Sequence, residues 1–298
     1  MVIRKKHQLF RVSLEMCFRY CCGVLVLLLS SAVSAQPLFD SHLHYSADNA
    51  KYFSPQSVLQ LLDENAISYA AVIGAPSAYM RKLYQLAPER IVPVLSVYRQ
   101  RSSKSTWIND ESLIPYLEKE LENGYWRGIG ELHIFAADRH SMVFEKVIAL
   151  ASARQLPLLI HGDPAVIDRL YEIAPGQTVI WAHAGTFPYP DLVSDYLRRY
   201  PKLSIDVSMR DERIAPDGMI NDDWYDLFIT YPGRFMVGVD TYSTARWHLL
   251  DSAVEIIRNW LAQLPDEVAL QMAFVNAAKL YKNPLMVKQQ EAVIEGTQ

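Results

Sequence analysis

The chain has 298 residues, with 29 Lys and Arg against 33 Asp and Glu, a net charge of −4 and half of its residues hydrophobic. That near-neutral balance has no basic stripe, so binding to nucleic acid through phosphate charge is excluded as a leading reading. No repeat, Gly/Ser linker or low-complexity tract divides the sequence.

Residues 1–20 carry Arg4, Lys5, Lys6, Arg11 and Arg19 against one acid, Glu15. An apolar run, "CCGVLVLLLSSAV", follows and ends in the small residues Val33–Ser34–Ala35. This is the pattern of a secretory signal peptide. The run is shorter than the ~20 residues that span a bilayer, so it predicts cleavage near Ala35 rather than a retained anchor. Residues 1–35 are then signal, and residues 36–298 form a periplasmic or secreted protein without stable membrane insertion. Cys17, Cys21 and Cys22 all lie in the signal. The exported protein therefore has no thiol, and any metal it binds must use nitrogen and oxygen ligands.

About 260 residues remain, enough for one large α/β domain with a full core. Short apolar runs recur at 37–44, 69–74, 91–98, 127–134, 156–162, 178–185, 203–209 and 234–241. Stretches with helical apolar spacing separate them, such as "SPQSVLQLLDENA" and "FEKVIALASARQ". Near-continuous apolarity indicates strands buried on both faces, as in parallel sheets covered by helices. Eight such strand–helix units fit a single-domain (β/α)8 TIM barrel. An open doubly wound sheet would carry a glycine-rich turn after its first strand, and "HLHYSADN" has none.

In such a barrel the chemistry gathers at the C-terminal ends of the strands. His42 and His44 end strand one, Glu131 and His133 strand four, His161 strand five, His183 strand six and Asp240 strand eight. Taken singly, each has an ordinary structural role open to it: a hydrogen-bonded core histidine, a paired glutamate, an aspartate capping a turn. Taken together, so many buried polar groups on one rim would be costly unless something binds them. A divalent cation does so, since imidazole and carboxylate are its usual ligands where thiolate is missing. Asp40 lies by alternation on the same strand face as the histidine pair and either orients the pair from behind or forms a buried pair with a neighbouring strand.

These motifs resemble the metal-dependent hydrolases of the amidohydrolase superfamily, in particular amidohydrolase family 2, with a TatD-like glutamate on strand four. The family's acid-x-His-x-His signature reads Asp40-Ser41-His42-Leu43-His44, its later histidines match His161 and His183, and its strand-eight aspartate matches Asp240. "NAAKLY" (276–281) resembles the family's closing helix, so the resemblance runs from Phe39 to Tyr281. It implies one or two divalent ions, zinc foremost, held by His42, His44, Glu131, His161, His183 and Asp240. It further implies a metal-activated water, with Asp240 as proton shuttle and His183 either steadying the substrate oxygen or completing a second ion site. Glu131 leans toward two ions.

The target is a small molecule with an amide, ester, lactone or phosphoester bond. Arg210 and Arg246 near the site suggest an anionic group, because guanidinium pairs with carboxylate or phosphate, and His133 joins them as a substrate contact. Phe187, Tyr189, Tyr242 and Trp247 are candidates for an apolar wall. A metal-dependent decarboxylase or hydratase is the alternative chemistry, and a metal-binding barrel without turnover the alternative class; a homo-oligomer is compatible with either. Sequencing the N-terminus of the exported protein should read from about Gln36. Recovery of an intact Met1 in the membrane fraction would contradict the signal reading.

Overall fold

A computed structural model describes residues 37–281; residues 1–35, expected to be a signal, lie outside the described residues. Among the described residues, no helix is long and apolar enough to cross a membrane. Eight parallel strands pair in chain order: β1 (Leu38–His44), β2 (Ile67–Ile73), β3 (Ile91–Leu95), β4 (Gly128–Ile134), β5 (Leu158–Gly162), β6 (Val179–Trp181), β7 (Leu203–Asp206) and β8 (Phe235–Met236). The chain beyond β8 returns to β1, where Ser41 N donates to Val237 O at 3.0 Å and Asp240 N to His42 O at 2.7 Å. The sheet is thereby nearly closed on itself, a (β/α)8 barrel.

Helices fill the connections: α1 (Pro55–Glu64), α2 (Ala78–Leu86), α3 (Leu113–Leu121), α4 (Met142–Ala153), α5 (Pro164–Ile173), α6 (Pro190–Arg199), α7 (Asp222–Thr230) and α8 (Leu250–Leu261). Local chemistry sets their starts. Ser54 caps α1 by accepting from Ser57 N, with Pro55 as the first helical residue, and Ser141 caps α4 by accepting from Phe144 N. Both choices satisfy N–H groups that the first turn leaves free.

Apolar residues form two layers. The outer one, between strands and helices, takes Leu38, Leu43, Ile129 and Leu132. The inner one fills the barrel with Phe39, Ala71, Val92, Leu159, Ile180 and Met236. Phe39 and Leu43 face opposite layers although four residues apart, which strict alternation forbids. The register shift between Asp40 and Leu43 accounts for it. A second shift lies between Ile129 and Leu132. Each is a bulge that re-aims side chains at the rim, turning His42 and His44 on β1, and Glu131 and His133 on β4, over the apolar floor. Gly130 is required at the second bulge, since a Cβ there would lie 2.6 Å from Leu159 Cβ.

The last three strands end earlier than their apolar runs predict. His183, Ala184, Met209 and Asp240 adopt left-handed φ of 58°, 53°, 64° and 56°, a conformation that non-glycine residues hold only where the surroundings compel it. His183 and Asp240 therefore sit just past strands rather than on them. Below, the barrel is closed by a π-helical turn (Gln271–Val275) and α9 (Asn276–Tyr281). Tyr281 stacks on Phe39 at 5.9 Å between ring centres. Asn276 Nδ2 donates to Pro232 O and Phe235 O, both at 2.8 Å, fastening this end to β8. Replacing Asn276 with Ala leaves two carbonyls without their donor. The variant should lose about 1–3 kcal/mol of stability, read as a lowered urea midpoint with an unchanged circular dichroism spectrum.

Candidate metal centre

The imidazoles of His42 and His183 are held from behind. His42 Nδ1 lies 2.8 Å from Asp206 Oδ2, and because that carboxylate is ionised the ring nitrogen donates. His183 Nδ1 lies 3.0 Å from the carbonyl oxygen of Ser208, which can only accept. Both rings are thus assigned the tautomer that presents an Nε2 lone pair forward. What those lone pairs face is not a set of donors. His42 Nε2 is 3.1 Å from His44 Nε2, and His183 Nε2 is 3.2 Å from Glu131 Oε1. Such contacts between acceptors need a proton or a cation between them.

Glu131 stands in the middle and its two oxygens serve different neighbours. Oε1 faces His161 Nδ1 at 2.8 Å and His183, while Oε2 faces His44 Nε2 at 3.4 Å and His42 Nε2 at 3.7 Å. Asp240 closes the ring, its Oδ1 3.3 Å from His44 Nε2 and its Oδ2 3.7 Å from His183 Nε2. Asp240 Oδ1 is buried and has no hydrogen-bond partner, which is the state of a carboxylate oxygen turned toward a ligand position. Gly238 makes the approach possible: a Cβ there would come within 2.8 Å of His42 Cβ and 3.1 Å of Asp206 Oδ1.

The electrostatics agree with the geometry. Burial opposes charge on His42, but Asp240, Asp206 and Glu131 outweigh it and raise its pKa well above the usual imidazole value. Burial would raise Glu131 and Asp240, yet the surrounding histidines hold both below the usual carboxylate range. Carboxylates and protonated imidazoles thus sustain one another in a dry site. A divalent cation can replace the protons, and the nitrogen and oxygen donors fit one. His42, His44, Glu131 and Asp240 would hold it, and Glu131 with His161 and His183 forms an adjoining set; among the described residues the triads with all donor atoms within 4.8 Å of one another are His42–His44–Glu131, Glu131–His133–His161 and His42–His183–Asp206.

The remaining predicted residues fall elsewhere. His133 has a different role from the other histidines. Tyr98 Oη accepts from His133 N at 2.8 Å and lies 2.9 Å from its Nδ1, to which it donates. His133 therefore offers an Nε2–H toward the cavity, and burial pushes its pKa down to about 3, so it stays neutral. Asp40 Oδ1 accepts from the backbone N–H of His42 and of Val239 rather than from an imidazole; the β1 bulge takes it off the face of the histidine pair. Burial raises its pKa to about 7.

Arg210 binds the carbonyls of His183 and Gly185 through Nε and Nη2, at 2.7 and 3.0 Å, while still lining the cavity. Arg246 turns back to Val239 O at 2.7 Å and does not line the cavity. Of the aromatic candidates, Tyr242 lines it, Trp247 is buried with its Nε1 on His44 O, and Phe187 and Tyr189 are exposed away from it. Asp206, Ser208, Tyr98 and Lys104 were not assigned roles from the sequence. An acid inside the apolar run "LSIDVSM" was the available signal for Asp206, since a buried carboxylate needs a partner.

No family model and no curated protein sequence matches the chain. Solved structures do. The probable 2-pyrone-4,6-dicarboxylic acid hydrolase of Acinetobacter baumannii, with citric acid bound, aligns at a TM-score of 0.57 and 15% identity over 83% of this chain and 99% of its own. An amidohydrolase of Burkholderia multivorans with bound zinc aligns at 0.53 and 15%, over 83% and 99%. A TatD homologue of Escherichia coli aligns at 0.57 and 13%, over 82% and 97%. The fold is that of the amidohydrolase barrels. At these identities the likeness concerns the barrel, and the site must be argued from its own atoms.

Asp206 provides the sharpest test. Ser208 N donates to Asp206 Oδ1 at 2.9 Å, which would hold the carbonyl of an asparagine there and point its NH2 at His42 Nδ1. The ring would then take its proton on Nε2 and lose the forward lone pair. Asp206→Asn should weaken zinc binding about 10–100-fold without unfolding the barrel. In wild type, affinity should fall as pH is lowered, because a proton on His42 competes with the ion. Chelator competition at several pH values, with thermal unfolding alongside, measures both.

Proposed function

We propose that this chain is a metal-dependent hydrolase acting on an amide, ester, lactone or phosphoester bond of a small anionic molecule. The observation that carries this reading is the pair of imidazoles, His42 and His183, whose Nε2 lone pairs are fixed from behind and turned on Glu131 and Asp240. What stands in front of these nitrogens is other acceptors, His44 Nε2 and Glu131 Oε1, an arrangement that a cation would satisfy. Zinc in the Burkholderia structure and citric acid in the Acinetobacter one support a divalent ion and an anionic substrate.

A divalent ion supplies Lewis acidity and brings the pKa of a coordinated water to about 7. The protein's own groups do the rest. Asp240 is ionised at neutral pH and keeps Oδ1 free of hydrogen bonds, so it is the group able to take a proton from the attacking water and pass it to the departing atom. His183 has both ring nitrogens engaged, on Ser208 and against Glu131; it acts as a fixed ligand and not as a base. His133, neutral and donating through Nε2, is suited to steady a substrate oxygen. Glu131, with one oxygen toward each set of histidines, has the arrangement for bridging two ions, and two is the number we propose.

Asp240→Asn keeps the shape and one coordinating oxygen but cannot accept a proton at neutral pH. It should retain at least one metal and the fold while losing ~10²-fold or more in turnover on any ester or lactone that wild type hydrolyses in a chelator-sensitive manner. Hydrolysis by the variant within a few-fold of wild type would rule out the proton shuttle.

A further inference from the structure

The space above the metal centre divides into two lobes that meet at Lys104, Glu131, His133 and Tyr242. One, of about 330 Å³, opens over β1 and β2 among Ser46, Asn49, Pro76, Tyr98 and Gln100. The other, of about 320 Å³, lies over β5 to β7 among His161, His183, Met209 and Arg210. Their charges differ. The second lobe has two cations, Lys104 and Arg210, and its only acids are Glu131 and Asp240, both turned into the histidines. The first shares Lys104 and Glu131 and adds Asp48, which is ion-paired to Lys51 at 2.7 Å; Arg210 belongs to the second lobe alone.

The two cations are differently built. Arg210 is half-buried and anchored by two carbonyls, and it has no carboxylate partner among the described residues. Lys104 stands on the 3-10 turn Arg101–Ser105 beyond β3, exposed, with no ion pair among the described residues. It nonetheless lines the cavity together with His133. A fixed guanidinium on one wall and a free ammonium on another, with no acid of their own, leave uncompensated positive charge at one end of the cavity.

We propose that the lobe over β5 to β7 seats a carboxylate of the substrate, held by Lys104 and Arg210, while the lobe over β1 and β2 takes its uncharged end. The substrate class is then a small carboxylic acid whose carboxylate lies apart from the bond that is cut. This rests on the hydrolase reading, which puts the reacting bond between the two lobes.

The test uses glutaramate and glutaramide, molecules of the same length in which the single carboxylate of the first is an amide in the second. Each is titrated calorimetrically into the full chain, zinc-loaded and metal-free, at low salt. Glutaramate should bind about fivefold more tightly than glutaramide, the scale of a partly exposed ion pair. The preference should shrink as salt is added. Lys104→Met should abolish it and Lys104→Arg retain it, with zinc content unchanged in both. Lys104 is chosen because it makes no bond that the fold uses.

Equal binding of glutaramate and glutaramide, no binding of either, or a preference that survives Lys104→Met overturns the proposal. Elemental analysis of the same samples reads the metal claim separately. Zinc present without the preference refutes only the carboxylate seat. A Lys104-dependent preference in a protein that holds no zinc refutes only the metal.

Discussion

The hydrogen bond between Asp206 Oδ2 and His42 Nδ1, 2.8 Å long and wholly buried, is the constraint on which the site depends. A carboxylate can only accept there, so the ring must donate from Nδ1 and offer Nε2 to the cavity. Asp206 is itself fixed by Ser208, whose N–H reaches Oδ1 and whose hydroxyl reaches Oδ2 at 2.6 Å. Ser208 in turn holds His183 through its carbonyl. A short stretch of chain leaving β7 thus sets two imidazoles, one on β1 and one just past β6. Such a network is favourable only when every member is satisfied, and the unsatisfied valence left over lies at the front, on Nε2 and on Asp240.

The barrel departs from regularity where that front is built. Bulges in β1 and β4 shift the inward face so that His42, His44, Glu131 and His133 converge. Left-handed residues at His183 and Asp240 carry two more groups inward from short strands. Gly130 and Gly238 leave the space in which neighbouring backbones and rings meet. Below, Phe39, Ile180, Met236 and Tyr281 form a buried apolar floor that offers no hydrogen-bonding side chain toward the carboxylates and imidazoles except the Tyr281 hydroxyl, which lies near Ser41 O.

Periodicity made the architecture legible. All eight apolar runs became strands, because strands buried on both faces advertise themselves in composition, and the stretches of helical spacing at 54–66 and 144–155 fell in helices. The convergence of histidines was legible for the same reason: strand order alone brings strand ends together. Side-chain direction was less so. Alternation was expected to put Asp40 on the face of His42 and His44, and the β1 bulge, which no local residue announces, moved it to the backbone. Arg210 was expected at the mouth and lines the cavity, tied there by two carbonyls, whereas Arg246 turns back to Val239. Lys104 lies far along the sequence from every motif, on a loop whose position depends on the whole barrel. Only the fold reveals that it overhangs the site.

Crystals soaked in zinc and measured at the zinc absorption edge test the central claim most directly. The account predicts an anomalous peak at about 2.0–2.1 Å from Nε2 of His42 and in contact with His44 and Asp240, with His42 Nδ1 still bonded to Asp206. A peak on the Nδ1 side of His42, coordinated by Asp206, or no peak within the ring at saturating zinc, would contradict it.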